Sequence, residues 1–336
     1  MQVTVVIPTY NAQSTIAATI DSVRAQTYGN WELIVVDGGS SDRTYEIAFE
    51  YSTRDERVYT LAMAGSMNSV DACNYGIGER SRSSRCVLVL DADDLLAPDA
   101  LESLIGVLID NREAVAVYGR FSLIDGAGHP LRSMAPDKFT NRRLHIAENG
   151  GVASLPPDAP LTFDALVLHN CIKSPGQMLI RSDALRKLGT FDPSAFPVDD
   201  WDMWVRLSLL GEIHMVDKVV LEYRVGSDES VMDDFEVVSG EIYFRRKLVH
   251  TLAGDDLHAV ALAGWRQRER RLIGQHLRAA FKAAIAGRHK IARSEFGGYL
   301  RSSFAYLFHW GIWRAADHLP RHAGRRQVDS RTMAHA

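Results

Sequence analysis

Cys86-Val87-Leu88-Val89-Leu90-Asp91-Ala92-Asp93-Asp94 is the stretch that decides the fold of this 336-residue chain. An apolar run of strand length leads directly into three carboxylates within four residues. A buried strand of a parallel sheet reads this way, and open α/β sheets bind ligands at the carboxyl ends of such strands. Crowded carboxylates repel one another, and a hard divalent cation such as Mg²⁺ or Mn²⁺ would remove that conflict. For the tetrapeptide alone, a solvated acidic turn that caps the next helix is the alternative.

The same order of strand, polar turn and helix occurs twice earlier in the chain. Val3–Ile7 leads into Pro8-Thr9-Tyr10-Asn11, and Trp31–Val36 leads into Asp37-Gly38-Gly39-Ser40-Ser41-Asp42. Apolar residues at helical spacing follow each turn. Three such units predict a mostly parallel sheet flanked by helices, with all three polar turns at one edge. Asp37 and the Asp91–Asp94 turn are therefore expected to converge.

Composition and charge narrow the class of protein. A hydrophobic content of 46% is enough for a large core, and Cys73, Cys86 and Cys171 show no metal-ligand or redox spacing. Few cysteines fit a reducing cytoplasm. The chain opens on a strand, so no secretory signal is expected, and no apolar stretch approaches the ~18 residues of a membrane span.

The charge is divided unevenly along the chain, which argues for two regions with different partners. Residues 1–235 hold 20 Lys and Arg against 34 Asp and Glu, or −14, and residues 236–336 hold 18 against 8, or +10. We predict an α/β domain over 1–235, a helical region over 236–319 and a disordered basic tail over 320–336. The irregular stretch 132–176 is predicted to be a substrate-facing loop.

Five motifs in a fixed order carry a family resemblance. They are Val5-Val6-Ile7-Pro8-Thr9-Tyr10-Asn11, Val35-Val36-Asp37-Gly38-Gly39-Ser40-Ser41-Asp42, Asp71-Ala72-Cys73-Asn74-Tyr75-Gly76-Ile77, Asp91-Ala92-Asp93-Asp94 and Asp199-Asp200-Trp201-Asp202-Met203-Trp204-Val205-Arg206. With these motifs the chain resembles the inverting family 2 glycosyltransferases of the GT-A fold over about residues 2–235. It looks most like the subgroup that builds bacterial exopolysaccharide repeat units of the colanic-acid type. The resemblance implies an α/β GT-A fold, a mostly parallel sheet flanked by helices, with a C-terminal helical extension.

The resemblance also implies roles for particular residues. Asp93 would be the ligand of a Mn²⁺ or Mg²⁺ ion that stabilises the leaving diphosphate, and Asp200 would be the general base. Asp200 begins a predicted helix, whose dipole should keep it ionised at neutral pH. Helix capping is the alternative for this acidic cluster, as core packing is for Trp201 and Trp204. The implied nucleotide-sugar site comprises Pro8, Thr9, Tyr10, Asn11, Asp37, Asp71, Asn74, Asp91, Ala92, Trp201 and Arg224.

The chain departs from the family pattern at two places. Many relatives carry a histidine where Gly226 stands, so a histidine ligand for the metal is not expected here. The basic residue that some relatives place beside Asn74 is also missing, because Cys73 and Tyr75 flank it.

The sequence thus predicts transfer of a sugar from a UDP- or GDP-sugar to a hydroxyl of a glycan or lipid-linked acceptor. The alternative is a non-catalytic scaffold of the same fold that docks at a membrane. A P-loop enzyme, a nucleotidyltransferase and a serine hydrolase are disfavoured because their Gly-rich loops or nucleophile elbow are absent. Nucleic-acid binding is disfavoured by the acidic first domain.

The last apolar segment suggests a membrane contact. Aromatic and aliphatic residues from Phe296 to Ala315 follow one helical face, and arginines surround it. Such a helix is typical of an anionic membrane interface, which predicts a cytoplasmic enzyme peripheral to the inner face of the cell membrane. Packing on the first domain or on a homodimer partner is the alternative.

Overall fold

The computed structural model describes residues 1–63, 68–131, 143–146, 152–156, 158–225 and 234–291, with 293–294, 296–298 and 300. In these ranges the strands are β1 Gln2–Thr9, β2 Trp31–Asp37, β3 Val58–Ala62, β4 Ser84–Val89, β5 Leu95–Leu96, β6 Ala114–Ile124, β7 Leu144–Ile146, β8 Val152–Ser154, β9 Met178–Arg181 and β10 Glu212–Arg224. The helices are α1 Ile16–Arg24, α2 Thr44–Ser52, α3 Ser69–Glu79, α4 Ala100–Asp110, α5 Phe163–Leu168, α6 Ser182–Leu188, α7 Asp199–Ser208, α8 Asp234–Thr251 and α9 Asp256–Ile285.

The main sheet confirms the predicted mostly parallel architecture. Its order is β3-β2-β1-β4-β9-β6-β10-β5, with parallel pairing from β3 to β4 and between β6 and β10. Thr9 of β1 pairs with Asp37 of β2, and Val6 of β1 pairs with Val89 of β4. The polar turns after β1, β2 and β4 therefore lie side by side at one edge, as predicted.

Burial of both faces explains the continuous apolar strands. In β4, Leu88 packs with α1, α2 and α4 on one face, whereas Val87 and Val89 pack with the other helices on the opposite face. Successive strand residues point to opposite faces, so a doubly covered strand must be apolar throughout. Helix α3 lies close to the sheet, because a Cβ on Gly76 would come within 2.5 Å of Val6 Cγ1.

Helices α8 and α9 pack on the α/β domain. Phe244 of α8 and Trp265 of α9 are fully buried in the same apolar cluster as Trp201 of α7. The predicted boundary at residue 235 therefore separates two regions that share one core, and it stays a prediction. Most of the predicted interfacial helix and the whole basic tail lie outside the described residues. None of the helices that the structure describes combines the length and hydropathy of a membrane span.

One local prediction was wrong. The stretch 132–176 is not irregular throughout: β7 and β8 form an antiparallel hairpin and α5 is a short helix. All but one of the α5 residues are buried, so its apolar run shows no helical periodicity. Strand β6 runs from Ala114 to Ile124 and is followed by a turn. Strand β9 lies between β4 and β6 and is antiparallel to both, an orientation that its short apolar sequence does not indicate.

Candidate active site

The turns after β1 and β2 are joined by hydrogen bonds. Asn11, at φ 49°, donates its backbone N–H to Ser40 Oγ at 2.9 Å, and its Oδ1 accepts from the N–H of Ser41 at 2.9 Å. The buried Asp37 carboxylate accepts from the N–H groups of Gly39 at 3.1 Å and Ser40 at 3.0 Å. Asp37 therefore holds this turn in shape, and its predicted contact with the donor stays a prediction.

Two neighbouring residues suit a ligand at this edge. The Thr9 hydroxyl is buried and has no hydrogen-bond partner among the residues that the structure describes. A buried hydroxyl without a hydrogen-bond partner destabilises the folded protein unless a bound ligand or water forms that bond. Tyr10 is 56% exposed and leaves a ring available for stacking. The roles predicted for Pro8, Thr9 and Tyr10 are compatible with these positions.

Ser174 joins two carboxylates of the acidic turn. Its hydroxyl lies 3.1 Å from Asp91 Oδ2 and 3.2 Å from Asp94 Oδ2, and one O–H can donate to only one of them at a time. Asp94 is buried and also accepts from the N–H of Arg224 at 2.9 Å. Burial and the nearby Asp93 raise the pKa of Asp91 to about 6. Burial and Asp91 hold the pKa of Asp94 well above its usual range.

Asp93 differs from its two neighbours in the exposure of its side chain, although desolvation raises its pKa as well. It is exposed, and its carboxylate makes no hydrogen bond or ion pair with any side chain in the described part of the chain. The described residues contain no cluster of three acidic, histidine or cysteine ligands. Mg²⁺ and Mn²⁺ nevertheless suit a site with one or two carboxylates, because substrate phosphates and water complete the shell. A free carboxylate beside two crowded ones fits such a site.

Arg224 ties the acidic turn to the turn after β6. Its guanidinium donates to the backbone oxygens of Asp93 at 2.6 Å, Asp125 at 3.1 Å and Gly126 at 2.9 Å. These three bonds shape the backbone that presents Asp93. The contact with a diphosphate that the resemblance implies for Arg224 stays a prediction. Ala92, between the two acids, accepts from Thr19 Oγ1 through its carbonyl at 2.9 Å.

Asp200 is the second residue of α7 and faces the acidic turn. Burial and the charges of Asp199 and Asp91 raise its pKa to about 8, while Asn170 Nδ2 lies 3.5 Å from its Oδ2. Burial raises the pKa of Asp199 to about 6, and the charge of Asp91 contributes to this increase as well. The two acidic motifs are therefore close enough in space for their charges to act on one another. The expectation that Asp200 is ionised at neutral pH was wrong, because burial and Asp199 outweigh the helix dipole.

The two tryptophans of α7 belong to the core. Trp201 is 2% exposed, donates Nε1–H to the carbonyl of Leu166 at 2.6 Å and packs on Phe244, with ring centroids 5.4 Å apart. Trp204 is fully buried. Neither ring can stack on a sugar in this arrangement, so the predicted role of Trp201 in donor binding is corrected. The exposed aromatic residue just before α7 is Phe196, at 41%.

Residues of α3 and of the loop before β9 complete the site. Asn74 exchanges hydrogen bonds with the backbone of Phe191 in both directions, at 2.7 and 2.9 Å, so its amide is committed to the loop between α6 and α7. Asp71 lies in the first turn of α3 and donates its backbone N–H to the Asn68 cap. Sequence reasoning missed Ser174, although the spacing of Ser174 and Gln177 is that of a capping box, which the structure contains.

Comparison with known proteins shows the family and the fold of the chain, independently of these site residues. The family model "Glycosyl transferase family 2" matches residues 4–189, more than half of the chain. The chain belongs to this family. The match ends before Asp200, so the role of that residue rests on the resemblance and on the geometry.

Individual relatives place the chain among bacterial glycosyltransferases. An uncharacterized glycosyltransferase of Rickettsia typhi is 32% identical over 226 residues, covering 66% of this chain and 64% of that protein. The Escherichia coli UDP-Glc:alpha-D-GlcNAc-diphosphoundecaprenol beta-1,3-glucosyltransferase WfgD is 34% identical over 153 residues, covering 46% of this chain and 58% of WfgD. The matches thus span less than two thirds of either relative.

A solved structure supports the fold. S. aureus TarS 1-349 in complex with UDP-GlcNAc superposes with a TM-score of 0.57 at 17% identity, covering 90% of this chain and 92% of the TarS 1-349 chain.

Proposed function

We propose that this protein is an inverting glycosyltransferase that moves a sugar from a nucleotide-diphosphate donor to a hydroxyl of a glycan or lipid-linked acceptor. One observation carries the proposal: in a family 2 fold, the charge of Asp91 in the acidic turn acts on the buried Asp200, and the Asp93 carboxylate two residues along makes no ion pair with the described residues. An acid that loses its proton near neutral pH is suited to general base catalysis.

The proposed chemistry uses Asp200 as the proton acceptor. The acceptor hydroxyl attacks the anomeric carbon of the donor sugar and gives its proton to the Asp200 carboxylate. The new glycosidic C–O bond forms as the bond to the diphosphate breaks, so the anomeric configuration inverts. A cation bound at Asp93 would neutralise charge on the departing diphosphate. Asp37, Asp71 and the turn from Pro8 to Asn11 would hold the nucleotide.

Relatives suggest which donor and acceptor to test first. TarS has been crystallised with UDP-GlcNAc and with UDP, and the name of WfgD gives a UDP-glucose donor and a diphosphoundecaprenol-linked acceptor. We therefore propose a UDP-sugar donor ahead of a GDP-sugar, and a lipid-linked glycan as the acceptor.

A thermal-shift screen tests the donor site. A ligand that binds the folded state raises the melting temperature by mass action, so UDP-sugars with Mn²⁺ should stabilise the protein more than either component alone. Release of UDP from the stabilising donor should then require the metal. Stabilisation without any UDP release, even with acceptor mixtures, would favour the non-catalytic scaffold instead.

We also propose that the enzyme works at an anionic membrane surface. Leu277, Phe281 and Ile285 recur at every fourth position of α9 and are 48%, 67% and 74% exposed. Arg278 and Lys282 flank this stripe, and the chain from 277 to 300 holds five Arg and Lys against one Glu. An apolar stripe with basic flanks suits anionic lipid, and the same positive charge disfavours its pairing with a second copy.

Vesicle co-sedimentation tests the membrane proposal separately from catalysis. Binding to anionic vesicles should weaken with salt and with Phe281→Ser plus Ile285→Ser, whereas Phe49→Ser, at the 49% exposed Phe49 of α2, should bind normally. If the double variant changed the oligomeric mass without changing vesicle binding, the stripe would be a homodimer contact.

A further inference from the structure

The turn from Phe191 to Val198 leads directly into α7 and is held by contacts from α3. The carbonyl of Phe191 accepts from Asn74 Nδ2 at 2.7 Å, and its N–H donates to Asn74 Oδ1 at 2.9 Å. Both polar groups of one amide side chain therefore fix one backbone unit. This pair sets the entrance of the turn relative to α3, the helix that also carries Asp71.

Helix α8 holds the same turn from the other side. Asp192 accepts from Lys247 Nζ at 2.7 Å and from the Tyr243 hydroxyl at 3.1 Å. The side chains of Lys247 and Asp192 are 7% and 18% exposed, so water reaches this charge pair only in part. An ion pair in such surroundings is geometrically specific, and removing one partner leaves the other charge buried without compensation.

Lys247 also reaches α7 itself. Its Nζ lies 3.4 Å from Asp202 Oδ2, and Asp202 is paired with Arg206 at 2.7 Å. Arg206 in turn donates to the carbonyl of Thr190 at 3.0 Å. One cation on α8 thus links Asp192, at the start of the turn, with the helix that carries Asp200.

The backbones of α8 and the turn are also in close contact. A Cβ placed on Gly240 would lie 2.7 Å from the carbonyl oxygen of Phe196 and 2.8 Å from that of Ala195. Only glycine permits this approach without a shift of one backbone or the other. The position of α8 therefore constrains the last residues before α7.

We propose that α8 is a positioning element for the general base, and that Lys247 is the residue through which it acts. This inference rests on the proposed function, because it assigns Lys247 a role through Asp200. It extends the catalytic unit beyond residue 189, where the family match ends, into the helical region that follows the α/β domain.

Lys247 also affects Asp200 through its positive charge. Asp192 and Asp202 both act to raise the pKa of Asp199, and Asp199 raises that of Asp200. The charge of Asp91 raises the pKa of both Asp199 and Asp200, and Asn170 Nδ2 donates to Asp200 Oδ2. The positive charge of Lys247 offsets the negative charges of Asp192 and Asp202. Removing Lys247 should therefore make Asp200 lose its proton at a higher pH.

Steady-state kinetics of Lys247→Met in the full chain tests the proposal. We expect kcat to fall by about tenfold to a hundredfold, since small displacements of a catalytic group have effects of that size, with the donor KM unchanged. The pH profile of kcat/KM should move to higher pH, and Lys247→Arg should restore part of the activity. Lys218→Met is the matched control, because Lys218 forms an exposed pair with Asp99 at 2.8 Å.

A milder variant covers the case in which Lys247→Met does not fold. Tyr243→Phe removes one hydrogen bond to Asp192 and keeps the ring, so it should lower kcat by a few-fold and leave the melting temperature nearly unchanged. Loss of melting temperature in either variant, with kcat and the pH profile as in the parent, would overturn the positioning role. An inactive parent protein would instead refute the proposed function.

Discussion

At the scale of single residues, the ionisation of Asp200 matters most for the proposed chemistry. Its pKa of about 8 means that the free protein holds a proton there at neutral pH. A base of this kind becomes available as the pH rises, and proton transfer is most effective when the pKa of the base lies near the working pH. Activity should therefore increase across the neutral range.

Asp200→Asn should abolish this pH dependence along with most of the turnover. The amide keeps the shape of the side chain but cannot accept the proton, so kcat should fall by roughly 10²–10⁴-fold while donor affinity stays close to that of the parent. In the parent, kcat/KM should rise toward a plateau above pH 8. Calorimetry with UDP separates binding from turnover: loss of donor affinity with normal turnover per bound donor would make Asp200 a binding residue.

Asp93→Asn tests the cation site. Without metal, UDP should bind the variant and the parent alike. With Mn²⁺ the parent should bind UDP more tightly, by about tenfold or more, whereas Asp93→Asn should show no such gain, since even outer-shell partners of a metal contribute that much. Asp99→Asn, which removes an exposed carboxylate of the Lys218 pair, is the control and should gain affinity with Mn²⁺ as the parent does. An equal gain in all three proteins would remove Asp93 from the metal site.

At the scale of elements, the first turn of α7 concentrates charge that the fold does not fully compensate. Asp199 and Asp200 both have raised pKa values, about 6 and 8. A carboxyl whose pKa is higher in the folded than in the unfolded state holds its proton more tightly when folded. Its contribution to stability is complete below the unfolded pKa of about 4 and is lost as the pH rises through the folded value.

The free energy of unfolding should therefore decrease between pH 5 and pH 8 in the parent protein, by at most about 1.4 kcal/mol per pH unit from Asp200. Asp200→Asn should flatten this slope and make the protein more stable than the parent at pH 8. Urea titrations at several pH values measure both effects. Parallel curves for parent and variant would show that Asp200 titrates at an ordinary pKa.

At the scale of the whole molecule, the helical region belongs to the core of the α/β domain. Trp265 of α9 is fully buried, with its ring centroid 6.4 Å from that of Phe244 on α8. Phe244 lies between Trp265 and Trp201 of α7. The interior is therefore continuous from the sheet to α9, and the helices stabilise the helix that carries the proposed base.

Two substitutions in α9 test this continuity. Trp265→Ala should lower the free energy of unfolding by about 3–5 kcal/mol, as for other buried aromatic residues. Phe281→Ala, at a position that is 67% exposed in the same helix, should change it by less than about 0.5 kcal/mol. Similar small effects of both would mean that α9 folds independently of the α/β domain.

The pattern of apolar and polar residues along the chain was enough to predict several strands and the position of the acidic turns. Continuous apolar runs that end in polar turns predicted the strands β1, β2 and β4 and the shared edge, because a strand buried on both faces must be apolar along its whole length. The turn from Asp91 to Asp94 and the α7 acids stood out by composition alone. These signals are contained within a few neighbouring residues, so they can be read without the fold.

Only the tertiary structure decided what the site residues contact. Trp201 is in the core because α5 and α8 cover it, Asn74 is committed to Phe191, and Arg224 holds three carbonyls. The pKa of Asp200 depends on burial and on Asp91, which is distant in the chain. Dehydration, charge and hydrogen bonding are set by neighbours in space, and the sequence does not show which residues those neighbours are.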